Sequence, residues 1–323
     1  MDIEMTTDET VTMRVEAMRY EAEGILSIEL AAPDGAELPV VAAGAHVDLF
    51  LPNGIARSYS LVVPRSSPRA YVVGVLLDRS SRGGSRYIHE QLRVGQEIPV
   101  SRPRNHFVLD EDAGDTVLLA GGIGITPIYS MYARLVALGR PVRLLYSVRS
   151  RRQAAFARDI ERLGGATDWH IDDEAGGPPD LKAYLARFDA KAHFYCCGPT
   201  PMIDRFEAVC EELGYPNVHV ERFAARTDQA PAEGGGAYEL VLQRSRRSLH
   251  VAAGESLISV LQANRIEVPF NCQEGVCGSC ETRIIEGEAD HRDSVLSKAE
   301  RAANKSMMVC VSGCKGARLV LDL

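Results

Sequence analysis

The first hundred residues contain short runs in which apolar and polar positions alternate, and turn residues separate these runs. AHVDLFL, ARSYSLVV and AYVVGVLLD are rich in β-branched residues and follow the two-residue period of half-buried strands. The pattern over about residues 10–108 therefore predicts a small antiparallel barrel or sandwich.

From about residue 110 to residue 225 the pattern changes to strand, glycine turn and helix. TVLLAGG precedes the helical stretch TPIYSMYARLVALG, and the strand-like VRLLYSV precedes AAFARDIERLG. Strands that alternate with helices predict a parallel sheet with crossover helices. The stretch ARTDQAPAEGGGA that follows is rich in Ala, Gly and charged residues, which predicts a flexible linker.

The last segment opens with two strand-like runs, YELVLQRS and SLHVAAG, and continues with the amphipathic helix SLISVLQANR and a loop dense in cysteine. We therefore predict a multidomain chain. Its predicted parts are an all-β domain at 1–109, an α/β domain at 110–225, a linker at 226–236 and a third domain at 237–323.

Composition excludes several classes of protein. Of 323 residues, 46% are hydrophobic and 25% charged, as in ordinary soluble globular proteins. The net charge of −8 argues against a nucleic-acid-binding protein, which usually presents a basic face. No apolar run approaches the length of a membrane span, and the acidic start MDIEMTTDET is unlike a signal peptide. We expect a cytoplasmic protein whose thiols stay reduced.

The stretch NCQEGVCGSC places three cysteines within nine positions, and a fourth follows after another 29 residues. In a reduced compartment such a cluster indicates a metal or catalytic site before it indicates disulfides. Zinc modules usually offer two close pairs of ligands, and a redox Cys-x-x-Cys needs no third cysteine upstream. The spacing Cys272-x4-Cys277-x2-Cys280…Cys310 is that of a plant-type [2Fe–2S] cluster, whereas Cys314 has no place in it.

Two glycine-containing turns follow apolar strands in the middle segment, LLAGGIGITPI at 118–128 and HFYCCGPTPMI at 193–203. Glycine lets a pyrophosphate approach the backbone, and the following helix N-terminus supplies N–H donors. Both turns would lie at the carboxyl edge of one parallel sheet, where dinucleotides bind. Such turns can also be purely steric, and Cys197 fits a buried structural thiol as well as a group near a nicotinamide. The turn residues are Gly121, Gly122, Gly124, Cys197, Gly198 and Pro199.

Two runs of the first segment carry candidate chemistry, ARSYSL at 56–61 and SRGGSRYIHE at 81–90. Arg57 can form charge-assisted hydrogen bonds with a phosphate, Tyr59 offers an aromatic face and Ser60 a hydroxyl. The glycines of the second run precede a predicted helix, which makes another possible anion site. Taken alone, the first run fits better an ordinary strand with a surface arginine and a half-buried tyrosine.

In this order, R-x-Y-S, G-G-I-G-I-T-P, C-G-P and the C-terminal cysteine spacing resemble the phthalate dioxygenase reductase and vanillate demethylase reductase family. This family belongs to the ferredoxin–NADP reductase superfamily, and the resemblance covers essentially the whole chain. It implies an antiparallel β-barrel that binds FMN, an α/β parallel-sheet domain that binds NAD(P)H and a C-terminal α+β ferredoxin domain of β-grasp type. Relatives with FAD usually carry the ferredoxin module at the N-terminus, whereas those with FMN carry it at the C-terminus, as here.

The resemblance also implies roles for individual residues. Ser60 and Cys197 would be catalytic, and Tyr59 would lie with Ser60 against the isoalloxazine. Phe223 matches an aromatic residue beside the flavin, although a plain core phenylalanine is the alternative. The FMN phosphate region would contact Arg57, Ser58, Gly84 and Ser85. The full set of implied cofactor-binding residues is Arg57, Ser58, Tyr59, Ser60, Val75, Leu76, Gly83, Gly84, Ser85, Gly121, Gly122, Gly124, Thr126, Arg149, Cys197, Gly198, Pro199 and Phe223.

The implied cofactors define an expected function. A nicotinamide delivers two electrons as hydride, whereas a [2Fe–2S] cluster accepts one at a time. A flavin between them can accept the pair and release single electrons. The chain has no second cysteine–histidine cluster of Rieske type and no segment left for an oxygenase domain. We therefore expect a monomeric reductase component that passes electrons from NADH to a separate Rieske-type oxygenase or demethylase. The alternatives are another acceptor, such as a haem monooxygenase, or a non-enzymatic redox-sensing or metal-binding module.

Coenzyme choice depends on YSVRSRR, which ends the second predicted strand of the middle segment with Arg149, Arg151 and Arg152 and no acidic residue. An acidic residue there favours the free ribose 2′-hydroxyl, whereas an arginine can accept a 2′-phosphate. The resemblance implies NADH, and a solvated basic turn is the alternative interpretation of the arginines. We expect a preference for NADH with appreciable use of NADPH.

Overall fold

The computed structural model describes residues 10–62, 69–79, 82–225 and 236–323. The chain divides into two compact units, Met1–Glu221 and Arg222–Leu323. Residues 226–235, which make up nearly all of the predicted linker, lie outside the described residues. Within the described ranges, no helix is both long enough and apolar enough to cross a membrane.

Six antiparallel strands of the first unit close into a barrel. They are β1 (Thr10–Ala22), β2 (Ile25–Ala31), β3 (His46–Phe50), β4 (Ala56–Val62), β5 (Ala70–Leu76) and β6 (Glu97–Ser101). Their order is β1-β2-β5-β4-β3-β6. Alternate side chains such as Val47, Leu49 and Val73 are fully buried in the barrel, as the two-residue period of the sequence predicts. The short helix α1 (Gly84–Glu90) adds Ile88 to this core.

Five parallel strands form the second sheet of the same unit. They are β7 (Thr116–Gly121), β8 (Val142–Val148), β9 (Ala166–Ile171), β10 (His193–Cys197) and β11 (Val218–Glu221). The connecting helices are α2 (Ile125–Ala137), α3 (Ala157–Leu163), α4 (Asp172–Ala175), α5 (Leu181–Leu185) and α6 (Thr200–Glu212). The order β11-β10-β7-β8-β9 places the topological switch point between β7 and β10. Open α/β sheets bind ligands outside the carboxyl ends of strands at such a point.

The barrel and the parallel sheet share one hydrophobic core within the first unit. Val62 and Val72 of the barrel belong to the same buried cluster as Ile125 and Ile128 of α2. Gly74 of β5 permits this contact, since an ideal Cβ there would lie 2.7 Å from Cγ2 of Thr126. The start of α2 is therefore packed directly against the barrel wall.

The strands of the second unit are β12 (Tyr238–Leu242), β13 (Arg247–Val251), β14 (Glu281–Glu286), β15 (Ala289–Asp290), β16 (Ser306–Met308), β17 (Gly313–Cys314) and β18 (Arg318–Leu321). They form a mixed five-stranded sheet in the order β13-β12-β18-β14-β16 and a separate pair, β15-β17. Its helices are α7 (Leu257–Ala263) and α8 (Lys298–Ala303). The predicted amphipathic helix is α7, whose Leu257, Val260 and Leu261 are buried in the core of this unit.

Candidate functional site

The four cysteines with the cluster spacing meet at one point of the second unit. Cys280 Sγ donates to Cys310 Sγ at 3.1 Å, across 30 positions of sequence. Cys272 forms side-chain hydrogen bonds with both Cys277 and Cys310. Cys314, by contrast, donates to the backbone oxygen of Arg318 at 3.4 Å. The fold thus brings together the four residues that the spacing predicts as ligands.

The loop that carries the first three cysteines points hydrogen-bond donors at their sulfurs. The Glu274 N–H donates to Cys272 Sγ at 3.3 Å, and Ser279 Oγ lies 3.3 Å from Cys277 Sγ. Gly275 has a φ of +67°, and an ideal Cβ there would lie 2.9 Å from Cα of Asp293. Only glycine fits this position, which lets the Gly275 N–H reach Cys310. Such donors stabilise negative charge on sulfur.

Mutual contact and burial shift the pKa values of two of these thiols. Contact with Cys272 and burial raise the pKa of the Cys277 thiol well above its ordinary value. For Cys310 the hydrogen bond from Cys272 lowers the pKa, but contact with Cys280 and burial outweigh it and raise the pKa to about 12. Cys277 and Cys310 can become thiolates in this site once a cation offsets their negative charge. The residues therefore fit a bound iron–sulfur cluster, whose iron ions would bind all four sulfurs.

The two glycine-containing turns touch each other at the carboxyl edge of the parallel sheet. An ideal Cβ at Gly124 would lie 2.2 Å from the backbone oxygen of Cys197, and one at Gly121 would lie 2.7 Å from Cδ of Pro199. At Gly122, where φ is +53°, no heavy atom of the described residues lies within 4 Å of such a Cβ. The first turn is therefore tight against the end of β10 on one side and open on the other, and Gly198 of the second turn lies directly against Gly121 of the first. Backbone can approach a pyrophosphate at the open side.

Three proton-bearing side chains cluster beside this edge. Ser60, which is 4% exposed, donates to Glu221 Oε2 at 3.3 Å. Glu221 ends β11 directly opposite Cys197 in register. Burial raises the Glu221 pKa to about 8, although the Ser60 hydrogen bond lowers it, so the carboxyl is largely protonated at neutral pH. Burial, and secondarily Glu221, raise the pKa of the Cys197 thiol, which therefore stays neutral.

Sequence reasoning did not identify Glu221. It belongs to the site because β11 pairs with β10 and because Ser60 of β4 lies 161 positions away in sequence but within hydrogen-bonding distance. The available signal was an acidic residue at the end of the short run VHVE, after the C-G-P strand. Thr126, another predicted binding residue, is buried, and its Oγ1 donates to the Ile123 oxygen at 3.0 Å.

The predicted phosphate-binding residues of the barrel divide between two faces of β4. Arg57 packs against the first turn of α1, since an ideal Cβ at Gly84 would lie 2.7 Å from Arg57 Cγ. Tyr59, on the same face as Arg57, packs against the barrel core, and burial raises its pKa. Gly83 precedes the helix with a φ of +102°, which favours glycine. Arg57, Gly83 and Gly84 thus form one small group.

Other residues of the predicted flavin set differ in their partners and exposure. Ser58, on the opposite face of β4, donates to Asp48 Oδ1 at 2.5 Å, and its contact with a phosphate stays a prediction. Ser85 Oγ accepts from the Asp78 N–H at 3.2 Å. Val75 is fully buried, so only its backbone can contact a ligand, whereas Leu76 is 39% exposed.

The end of β8 differs from the sequence expectation. No acidic residue is near Arg149 in sequence, but the start of α4 lies beside it, and the Asp173 N–H donates to the Arg149 oxygen at 3.0 Å. Arg151 pairs with Glu174 through Nε–Oε1 at 2.6 Å and Nη2–Oε2 at 2.8 Å. Arg151 is therefore paired with a carboxylate from the next strand–helix connection. Phe223, at the start of the second unit, is 43% exposed and is not a core residue.

Models of known protein families match both the region of the four cysteines and the region of the two glycine-containing turns. The model described as "2Fe-2S iron-sulfur cluster binding domain" matches residues 240–315, which include all four cysteines of the quartet. The model described as "Oxidoreductase NAD-binding domain" matches residues 118–208, which include both glycine-containing turns.

Individual proteins resemble the chain over nearly its full length. Phenoxybenzoate dioxygenase subunit beta of Ectopseudomonas oleovorans is 48% identical over 313 residues, which are 97% of each chain. The solved structure of phthalate dioxygenase reductase is 35% identical, with a TM-score of 0.68 over 98% of each chain. An intact type IV self-sufficient cytochrome P450 monooxygenase is 37% identical with a TM-score of 0.90 over 97% of this chain. The present chain spans 41% of that larger chain.

Proposed function

Because this chain belongs to the phthalate dioxygenase reductase-type family, we propose that it is the reductase component of an oxygenase system. It passes electrons from NADH through FMN and a [2Fe–2S] cluster to a separate oxygenase. The fold is of the multidomain ferredoxin reductase type, with NAD-binding and [2Fe–2S] domains. The observation that carries the proposal is the convergence of four thiols in one unit of a chain whose other unit has a nucleotide-binding edge.

The proposed domain limits follow the sequence texture: a flavin barrel at 1–109, a nucleotide domain at 110–225 and a β-grasp ferredoxin at 237–323. FMN supplies the exchange between two-electron and one-electron chemistry. Arg57 and the glycines at the start of α1 would hold its phosphate, because a guanidinium forms strong charge-assisted hydrogen bonds with phosphate. Ser60 would lie at the polar edge of the ring.

The protein's own groups prepare the point of hydride transfer. Glu221 holds a proton at neutral pH, and Ser60 is hydrogen-bonded to it. The buried, neutral Cys197 thiol adds no charge beside the nicotinamide position. Ser60 and Cys197 are buried and all three groups are uncharged, which favours an apolar ring at these strand ends.

We propose a Rieske-type oxygenase as the partner. The dioxygenase names of the two full-length relatives support this class. A haem monooxygenase is the second candidate, favoured by the likeness to part of a self-sufficient cytochrome P450 monooxygenase. In both cases the electrons leave through the cysteine quartet.

The purified full-length protein tests the proposal. We expect FMN to be released on denaturation and NADH to elicit the electron paramagnetic resonance signal of a reduced [2Fe–2S] cluster. NADH-dependent turnover should appear with a Rieske oxygenase and not with a cytochrome P450. A colourless protein that contains zinc would contradict the enzyme assignment, and turnover with only the haem partner would replace the Rieske proposal with the second candidate.

A further inference from the structure

Two oppositely charged segments meet at one end of the parallel sheet. The turn after β8 carries three arginines, and the start of α4, which follows β9, carries three acidic residues. Because β8 and β9 are neighbouring parallel strands, both segments lie at the same edge. Their formal charges cancel. The residues are Arg149, Arg151 and Arg152, and Asp172, Asp173 and Glu174.

Specific contacts hold the two segments together. Glu174 binds Arg151 through two parallel hydrogen bonds of 2.6 and 2.8 Å, the geometry that also suits arginine for phosphate. The Asp173 N–H donates to the Arg149 oxygen at 3.0 Å. Ser147 Oγ lies 3.5 Å from Asp172 Oδ1. The acidic start of α4 is thus fixed against the end of β8.

The position of this pair in the sheet gives it a role in coenzyme binding. β8 is the neighbour of β7, whose glycine turn begins α2. In dinucleotide-binding sheets the residues at the end of this second strand contact the adenosine ribose, where a carboxylate favours the 2′-hydroxyl and an arginine accepts a 2′-phosphate. In this chain Arg151 is already bound by the carboxylate of Glu174.

We propose that Glu174 is a coenzyme-specificity residue that discriminates against NADPH. Its carboxylate binds the guanidinium of Arg151 and places a negative charge where a 2′-phosphate would lie. The hydrogen bond from Arg151 also lowers the pKa of Glu174, so this charge persists at neutral pH. The inference rests on the proposed function, because it concerns the same nucleotide site.

Glu174→Gln in the full-length holoenzyme tests this role. We expect the ratio of kcat/KM for NADPH to that for NADH to rise about tenfold, because one charge near a doubly charged phosphate is removed. The change should appear as a lower KM for NADPH with kcat unchanged, since the 2′ position is remote from the reacting carbon. Adenosine 2′,5′-bisphosphate should also bind about tenfold more tightly in calorimetry, which does not depend on turnover. Both gains should shrink at high salt.

Two further variants make the result specific. Adding Arg151→Ala to Glu174→Gln should remove the gain, because the arginine is then no longer available to the phosphate. Glu212→Gln removes a carboxylate from the exposed Lys182–Glu212 pair and should leave the ratio unchanged. An unchanged ratio and unchanged bisphosphate affinity in Glu174→Gln would overturn the inference, as would a gain that survives Arg151→Ala. Failure of the wild-type protein to oxidise NADH would instead overturn the proposed function.

Discussion

Replacing Gly124 by alanine should separate the nucleotide-binding turn from the end of β10. An ideal Cβ at Gly124 would lie 2.2 Å from the Cys197 oxygen, 2.4 Å from its carbonyl carbon and 2.6 Å from the Gly198 nitrogen. All three atoms are backbone, and β10 is paired with β7 on one side and with β11 on the other. No side-chain rotation can therefore relieve the overlap.

The size of the effect follows from this overlap. Non-bonded heavy atoms reach their favourable separation at about 3.5 Å, so the two backbones must part by roughly 1 Å. Overpacking of a buried site typically costs about 1–3 kcal/mol in the free energy of unfolding. A displacement of about 1 Å in a positioning element can lower kcat/KM by about 100-fold. We expect Gly124→Ala to lower kcat/KM for NADH by about 10- to 100-fold.

Ferricyanide reduction by NADH measures this effect, with flavin and iron content determined on the same sample. Flavin and cluster content should stay at the wild-type level, since the substitution lies in neither predicted site. Gly114→Ala is the matched control, because Gly114 is exposed and no heavy atom in the described part of the chain lies within 4 Å of its ideal Cβ. Wild-type kcat/KM and unchanged thermal stability in Gly124→Ala would refute the close approach of Gly124 to the Cys197 backbone.

Three other substitutions test the remaining parts of the site. Arg57→Ala should weaken FMN binding by about 10- to 100-fold through loss of a charge-assisted hydrogen bond, with cluster content unchanged; full flavin retention in equilibrium dialysis would contradict this. Cys277→Ser should abolish the iron–sulfur signal and NADH-dependent transfer to the oxygenase but keep ferricyanide reduction, and full partner activity would exclude Cys277 as a ligand. Glu221→Gln should remove a pH dependence of the free energy of unfolding. Because the pKa of Glu221 is about 8 in the folded protein and 4.5 ordinarily, the wild-type fold loses stability as pH rises between these two values. The difference in Tm between variant and wild type should therefore increase in favour of the variant from pH 5 to pH 8.5, and parallel Tm curves would show that the pKa of Glu221 is not raised.

The parts of the site that are local in sequence could be predicted without the structure. Four cysteines with cluster spacing carry their chemistry in the motif, and the fold needs only to bring Cys310 back to the loop. The glycine turns are similar, because a strand, a turn and a helix within a few residues define where Gly121 and Gly124 lie.

The parts that depend on neighbouring strands could not be predicted in this way. Glu221 reaches Ser60 only after β11 is added beside β10, and Glu174 reaches Arg151 only because β9 is added beside β8. Strand order is a property of the whole sheet, so no local window contains either pair. Ser58 shows the same limit in the barrel, since its hydroxyl donates to Asp48 on the adjacent strand β3.

The packing of Thr126 against Gly74 has a consequence for building chimeric reductases. A crossover near residue 109 would join the barrel of one relative to the parallel sheet of another. Such a hybrid would have to recreate by chance the glycine that admits α2 and the hydrogen bond between Ser60 and Glu221. A crossover after Glu221 leaves both of these contacts within one parent. Libraries of hybrid electron-transfer proteins should therefore exchange the barrel and the parallel sheet as a single inherited block.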